Sequence, residues 1–301
     1  MTPKKKGLQS LSFDHLVGQE VGTSTLLHEL ARGGMAVVFV AYQRTLKRQI
    51  AVKILPKSMM TQDTANSFRQ EAETAAILSH PNIVPIYEVG ENDEFLFFTM
   101  QLIQGRPLSF FISRVRRHVV PSRRFLPLKT TLEVVLRVLD ALDYAHRQDI
   151  VHRDIKPANI LIEKGSSRPI ITDFGIANIT RGTDAFSKSI QGTPVYMAPE
   201  QIVSTDVDGR ADIYSTGLLL FELLGSRLPL PNHENKWDLM KQKLLAKDDF
   251  FQKTPSQLNP CLDPEIDEIV SKATAFRPED RFATCREFIQ RLEEHRDRML
   301  Q

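Results

Sequence analysis

The sequence predicts an α+β protein in which strands and helices are segregated along the chain. Two observations carry the prediction. Strand-like runs rich in β-branched and aromatic residues, broken by Gly-containing turns, fill most of residues 24–100, with one helical stretch among them. From about residue 106 onward, apolar residues recur mainly at helical spacing, with Pro-rich joins. At 301 residues the chain suits one large domain or two small lobes. Apolar and charged fractions of 42% and 25% are those of a soluble globular protein. The net charge of +2 gives no reason to expect nucleic acid or an anionic membrane as a partner. The two cysteines, Cys261 and Cys285, lack metal-ligand spacing, which suits a reducing compartment without disulfides. No run of 18 apolar residues exists, so no transmembrane helix is expected.

Taken in order, residues 1–23 are polar, irregular and Gly-containing, and read as a flexible leader. Lys4, Lys5 and Lys6 precede no apolar stretch, so this is not a secretory signal. Three strands are expected over 24–55, the first two joined by the turn at Gly33-Gly34 and the third being Ile50-Ala51-Val52-Lys53-Ile54-Leu55. Lys53 interrupts an apolar run; it either points to water from an edge strand or needs a counter-ion. Residues 64–79 read as a helix, with Phe68, Ala72, Ala75, Ala76 and Leu78 mostly on one face. Glu71 and Glu73 are its candidate partners for Lys53, and the pattern alone does not choose between them. His80-Pro81 ends the helix, and strands follow at Ile86–Val89 and Glu94–Met100. Residues 101–105 are a connection. Residues 113–129 carry six Lys/Arg and no acid, and read as a solvated insertion or as a dock for an acidic or phosphorylated partner. Thr131–Gln148 is an amphipathic helix. Asp212 to Leu224 is hydrophobic nearly all round and therefore buried.

The stretch with the most chemical content is Val151-His152-Arg153-Asp154-Ile155-Lys156-Pro157-Ala158-Asn159-Ile160-Leu161-Ile162. A carboxylate at Asp154 and an amide at Asn159, five residues on, can face one cleft from a tight loop. Asp173-Phe174-Gly175 follows 14 residues after Asn159, a carboxylate at a strand end beside a Gly. A hydroxyl-rich segment with Thr180, Thr183, Ser187, Ser189 and Thr193 then leads to Ala198-Pro199-Glu200.

H-R-D-x-x-x-x-N, D-F-G and A-P-E in this order resemble a protein kinase domain from about residue 24 to 297. The Asp154-Ile155-Lys156-Pro157 and Gly192-Thr193-Pro194-Val195-Tyr196-Met197 forms resemble serine/threonine kinases, and Gly33-Gly34-Met35 with the 68–84 segment resembles most the bacterial ones of eukaryotic type. The resemblance implies a bilobal fold: a small antiparallel β lobe with one helix at 24–100, a hinge at 101–105, and a larger, mainly helical lobe at 106–297, followed by a tail at 298–301. It places ATP between the lobes, lined by Leu30, Ala31, Gly33, Gly34, Ala36, Val38, Ala51, Lys53, Met100, Gln101, Leu102 and Leu161. It makes Lys53 the phosphate ligand, held by Glu71. It gives Mg²⁺, with Mn²⁺ as the alternative ion, to Asn159 and Asp173. Asp154 becomes the catalytic base and Lys156 the γ-phosphoryl contact. Thr180, Thr183, Ser187, Ser189 and Thr193 become activation-loop phosphosite candidates, with Arg153 as the cation for such a phosphate. Asp212 holds the catalytic loop, and Arg281 pairs with Glu200.

The implied activity is ATP-dependent phosphoryl transfer to Ser/Thr hydroxyls of proteins, including the enzyme's own activation loop. The implied location is the cytoplasm, with an anchor beyond Gln301 left open, and a homodimer is permitted. One departure stands out. The glycine-rich pattern G-x-G-x-x-G has Ala31 and Ala36 in place of its outer glycines, each adding a Cβ where backbone is to approach phosphate. That departure is the support for a rival reading, a pseudokinase that binds nucleotide or partners without transfer. A second rival, a kinase-fold enzyme acting on a small molecule, is opposed by the complete A-P-E segment and hydroxyl-rich loop.

Overall fold

The computed structural model describes residues 12–33, 36–174, 194–204 and 206–299. The chain divides into two units, Met1–Ser79 with Val84–Gln104, and His80–Ile83 with Gly105–Gln301.

The first unit is built on a six-stranded antiparallel sheet. Its strands are β1 (Glu20–Val21), β2 (Ser24–Arg32), β3 (Val37–Gln43), β4 (Arg48–Pro56), β5 (Ile86–Glu91) and β6 (Phe95–Gln101), in the order β1-β2-β3-β4-β6-β5. Strand side chains alternate between faces, and here both faces are apolar. One buries Val37, Phe39, Ala41, Ile50, Val52, Ile54, Phe95 and Phe97. The other presents Ala36, Leu55, Leu96 and Phe98 to helix α1 (Gln62–Ile77), which contributes Ala65, Phe68 and Ala72. The rings of Phe68 and Phe98 lie 5.0 Å apart. Each fully buried Val, Leu, Ile or Phe among them contributes about 1.5–3 kcal/mol. Helix α1 starts at Thr61 because the Thr61 and Thr64 side chains each accept the other's backbone N–H, at 3.2 and 2.8 Å.

Residues 12–23 are not the flexible leader that their irregular sequence suggests. Phe13, Leu16 and Val21 are buried in the core of the sheet's first face. Arg32 lies over the Phe13 ring at 5.0 Å, and Glu20–Val21 pairs with Ser24–Thr25. The three apolar residues sit on a short 3₁₀ turn (Asp14–Leu16) and a two-residue strand. Neither element is long enough to show a periodicity. Residues 1–11 lie outside the described residues.

In the second unit, β7 (Gly105–Pro107), β8 (Ile160–Glu163) and β9 (Pro169–Ile171) form a small sheet in that order. Gly105 allows the approach of β7 to β8: a Cβ there would stand 2.2 Å from the Ile162 carbonyl oxygen. The helices are α2 (Leu108–Arg116), α3 (Leu128–His146), α4 (Pro199–Val203), α5 (Arg210–Gly225), α6 (Lys236–Ala246), α7 (Pro255–Leu258), α8 (Glu265–Ala273) and α9 (Cys285–Met299). Helix α5 is the axis. All its residues except Arg210 and Glu222 are buried, and α3 and α8 pack against it. Gly217 permits the α8 contact, since a Cβ there would meet Ala273 and Thr274 at 2.8 Å. The basic stretch 113–129 is largely structured. It comprises the last turn of α2, a 3₁₀ turn at Pro121–Arg123 and the start of α3. Among the described residues, no helix is long and apolar enough to cross a membrane.

Candidate active site

In the first unit, the pairing of β2, β3, β4 and β6 sets out the residues expected to line ATP. Ala31, Val38, Lys53 and Phe98 are successive cross-strand partners, and Ala51 and Met100 pair one step along. Period-2 alternation puts Val38, Ala51, Lys53, Phe98 and Met100 on the face that carries α1. Lys53 donates to the Glu71 carboxylate at 2.6 Å, and its ammonium lies 5.4 Å from the Phe98 ring centre. Both side chains of the pair are mostly buried, 15% and 13% exposed. Glu73, the sequence's other candidate, is exposed.

The turn between β2 and β3 is closed by the Gly33 N–H on the Ala36 carbonyl at 2.9 Å. Ala36 packs into the cluster beneath α1, so its methyl is accommodated as core. Gly34 lies outside the described residues. Leu30 falls at a register shift between Glu29 and Ala31 and is half exposed. Gln101 ends β6 opposite Ile50, on the other face from Met100, and its N–H donates to the Pro85 carbonyl. Leu102 follows it outside the strand, partly buried.

In the second unit, the loop before β8 gathers three predicted residues. One Asp154 carboxylate oxygen (Oδ2) accepts from Lys156 Nζ at 2.6 Å and from Asn159 Nδ2 at 2.9 Å. The same Asn159 nitrogen donates to the Asp154 carbonyl at 2.9 Å. The amide is thereby oriented with its nitrogen on Asp154. Thr172 ties the D-F-G strand end to the loop. Its N–H and hydroxyl donate to the Asn159 carbonyl at 2.9 and 3.2 Å, and its hydroxyl stands 3.3 Å from an Asp173 carboxylate oxygen. Leu161 is on β8 opposite Ile170. Phe174 is buried, its ring 4.6 Å from that of His152.

Two of these loop residues are held in the left-handed region, Arg153 at φ 66° and Asp173 at φ 56°. Such a conformation costs a non-glycine residue about 1–3 kcal/mol and persists only where the surroundings over-determine it. Those surroundings are visible. Asp212, fully buried in the first turn of α5, accepts the N–H groups of His152 and Arg153 at 2.8 Å each and bonds His146 at 2.8 Å. Burial raises the Asp212 carboxyl, but the hydrogen bond from His146 and the backbone N–H of His152 help to outweigh it, so it sits below the usual carboxylate range. His152 is fully buried. Its Nδ1 accepts the Asp154 N–H at 3.2 Å, which leaves Nε2–H to donate to the Thr172 carbonyl at 3.1 Å. Burial keeps the imidazole neutral by lowering its pKa against the pull of nearby carboxylates. Gln201 donates to the Arg153 carbonyl at 2.9 Å. The Arg153 guanidinium makes no ion pair or hydrogen bond among the described residues.

Below the loop, Arg281 and Glu200 form a two-armed pair at 2.7 and 2.8 Å. Thr180, Thr183, Ser187, Ser189, Thr193 and Gly175 lie outside the described residues.

Sequence reasoning missed two features. Lys243 of α6 is fully buried and donates to the carbonyls of Val195 and Met197 at 2.5 and 2.7 Å, fastening the segment before Ala198. Burial pushes its amine down to about 7. The Tyr196 hydroxyl donates to the Glu222 carboxylate. Both contacts join residues more than 25 positions apart, and no local pattern marks them. The one available signal was a cation inside an otherwise helical stretch.

Residues 24–292 match the protein kinase domain family. A probable serine/threonine-protein kinase of Streptomyces coelicolor is 36% identical over 266 residues, covering 86% of this chain. Serine/threonine-protein kinase PrkC of Bacillus subtilis is 34% identical over 275 residues, covering 90% of this chain. The chain spans only 37% and 40% of the lengths of these two relatives. The crystal structure of the Mycobacterium tuberculosis PknI kinase domain matches with a TM-score of 0.73 at 29% identity, covering 93% of this chain and 98% of that one. The fold class expected from the sequence is thus that of its structural relatives, and the chain belongs to the protein kinase domain family, alongside the bacterial serine/threonine kinases.

Proposed function

We propose that this chain transfers the γ-phosphoryl group of ATP to Ser/Thr hydroxyls of proteins, its own 180–193 segment among them. The carrying observation is the shared Asp154 carboxylate, bonded by Lys156 and Asn159 within one loop. A carboxylate fixed in this way accepts a substrate hydroxyl's proton, while Lys156 offsets charge on the phosphoryl group beside it. Lys53, oriented by Glu71, holds the α- and β-phosphates. The Asn159 amide oxygen and the Asp173 carboxylate are hard oxygen donors, a set that fits Mg²⁺ completed by phosphate and water, and that also accepts Mn²⁺. Bound there, the ion neutralises charge developing on the phosphates.

Positioning and electrostatics supply most of such catalysis. Asp154→Asn keeps the loop's hydrogen bonds but removes the base, so transfer to a Ser/Thr peptide falls by about 10²–10⁴-fold. A peptide assay with ATP and Mg²⁺ tests this. Wild-type rates in the variant, or transfer to a Tyr peptide but to no Ser/Thr peptide, contradict the assignment. Nucleotide binding with no transfer by wild type favours the pseudokinase reading.

A further inference from the structure

Between Glu94 and Glu133 the chain carries seven Lys/Arg and no acid. Arg106, Arg114, Arg116, Arg117, Arg123, Arg124 and Lys129 are all exposed. None of them has a carboxylate within ion-pair distance among the described residues, whereas Arg147, Arg168, Arg210 and Arg291 are all paired. The Arg124 guanidinium instead donates to the His118 carbonyl at 2.9 Å, which fixes the turn. The Ser226 hydroxyl donates to the Arg124 carbonyl, bringing exposed Arg227 beside it. Like charges held together without counter-ions are left for a partner to neutralise.

This surface reaches the catalytic loop. An open cavity of about 270 Å³ is lined by Ser113 and Arg116 of α2, Lys156 and Ala158 of the loop, Tyr196 and Glu222. Lys156 Nζ is 2.6 Å from the Asp154 carboxylate, so the cavity opens one side chain from the acceptor position. Two features decide which charge it suits. Ala158 supplies no carboxylate. Glu222 is already engaged by the Tyr196 hydroxyl, which lowers its demand for an incoming cation. Arg116 faces them from α2, near enough for its charge to act on Glu222 but in no ion pair with it among the described residues.

We propose that this arginine-rich face reads the flanks of the protein substrate, and that the substrates are Ser/Thr segments flanked by carboxylates or phosphates. The inference rests on the kinase reading above. Guanidinium groups take either anion through two-armed hydrogen bonds, so the two share one chemistry. Exposed pairs are individually weak, and three of them together give about tenfold in affinity.

The test uses one Thr acceptor peptide in four versions, flanked by Ala, Glu, phosphoserine or Arg. Binding is read by fluorescence anisotropy on the Asp154→Asn protein, and KM is read on wild type. Arg114→Ala/Arg116→Ala/Arg117→Ala is compared with Lys241→Ala/Lys253→Ala/Arg286→Ala, an equal loss of exposed charge elsewhere. The expected result is about tenfold tighter binding of one or both anionic peptides than of the Ala peptide, diminished by salt, lost in the arginine triple and kept in the control. Which anionic peptide prevails identifies the source of the charge. Tightest binding of the Arg peptide, equal binding of all four, or a preference that survives the arginine triple overturns the proposal. So does equal loss in the control. Capture by phosphatidylserine vesicles without discrimination among the peptides reassigns the face to membrane and overturns it as well. Anionic preference in binding with no transfer to any peptide refutes the kinase activity while leaving this reading of the surface intact.

Discussion

Removing Arg281 should destabilise the helical unit more than almost any other single change. Its side chain is fully buried, and all five of its N–H donors are used. Two meet Glu200 at 2.7 and 2.8 Å, and the others meet the carbonyls of Ala275, Phe276 and Arg210 at 2.7, 2.9 and 2.9 Å. The guanidinium also lies over the Tyr214 ring at 4.8 Å. Arg281→Ala leaves a largely buried carboxylate and three carbonyls without their donors. Breaking a buried pair from one side costs about 3–5 kcal/mol. For a unit of this size that corresponds to about 6–20 °C in Tm. Arg281→Lys recovers only part, because an ammonium has three donors and no planar fork. Glu200→Met/Arg281→Met removes both charges and should be milder than the sum of the single changes. Urea unfolding of wild type, Glu200→Met, Arg281→Met and the double variant measures the cycle, with Arg281→Ala beside them. A loss under 1 kcal/mol for Arg281→Ala, or strict additivity, refutes the reasoning.

Three further outcomes follow from the same structure. Lys53→Met leaves Glu71 mostly buried without its counter-ion, so transfer should fall by about 10²-fold or more while nucleotide affinity weakens. A near-normal rate removes Lys53 from the site. Burial lowers the Lys243 amine to about 7 from 10.5, so between these values the unfolded chain holds the proton that the folded one lacks. Stability of wild type relative to Lys243→Met should therefore rise with pH across that window, by up to about 1.4 kcal/mol per unit; a constant difference between pH 7.5 and 9.5 contradicts it. His152 is lowered from 6.5 by burial, so its neutral form is favoured by folding and its stabilising contribution is lost as pH falls below 6.5. A His152→Gln variant should show a shallower acid loss in urea unfolding, and an equal slope sinks the assignment.

What the sequence makes legible is what short spacing determines. Asp154, Lys156 and Asn159 sit within one loop, so their order along the chain already constrains their geometry. Alternation within β4 likewise puts Ala51 and Lys53 on one face, whereas Val38 joins them only through the register of β3 on β4, which the structure supplies. Choosing Glu71 over Glu73 needed either the family resemblance or the structure, since only the helix's rotation against the sheet decides it. Phe13, Leu16 and Val21 were misread because hydrophobic burial on irregular backbone leaves no period to detect. His146, His152 and Asp212 form one network across 66 positions, yet each alone looks like an ordinary polar residue. Lys243 was invisible for the same reason: its two carbonyl acceptors are backbone atoms and carry no sequence signature.

The most direct measurement is the intact mass of the purified protein before and after incubation with Mg²⁺ and ATP, beside Asp154→Asn. The account predicts gains in steps of one phosphate in wild type, mapped by peptide analysis to hydroxyls between residues 180 and 193, and none in the variant. No gain in wild type alongside measurable nucleotide binding, or equal gain in both proteins, would contradict it.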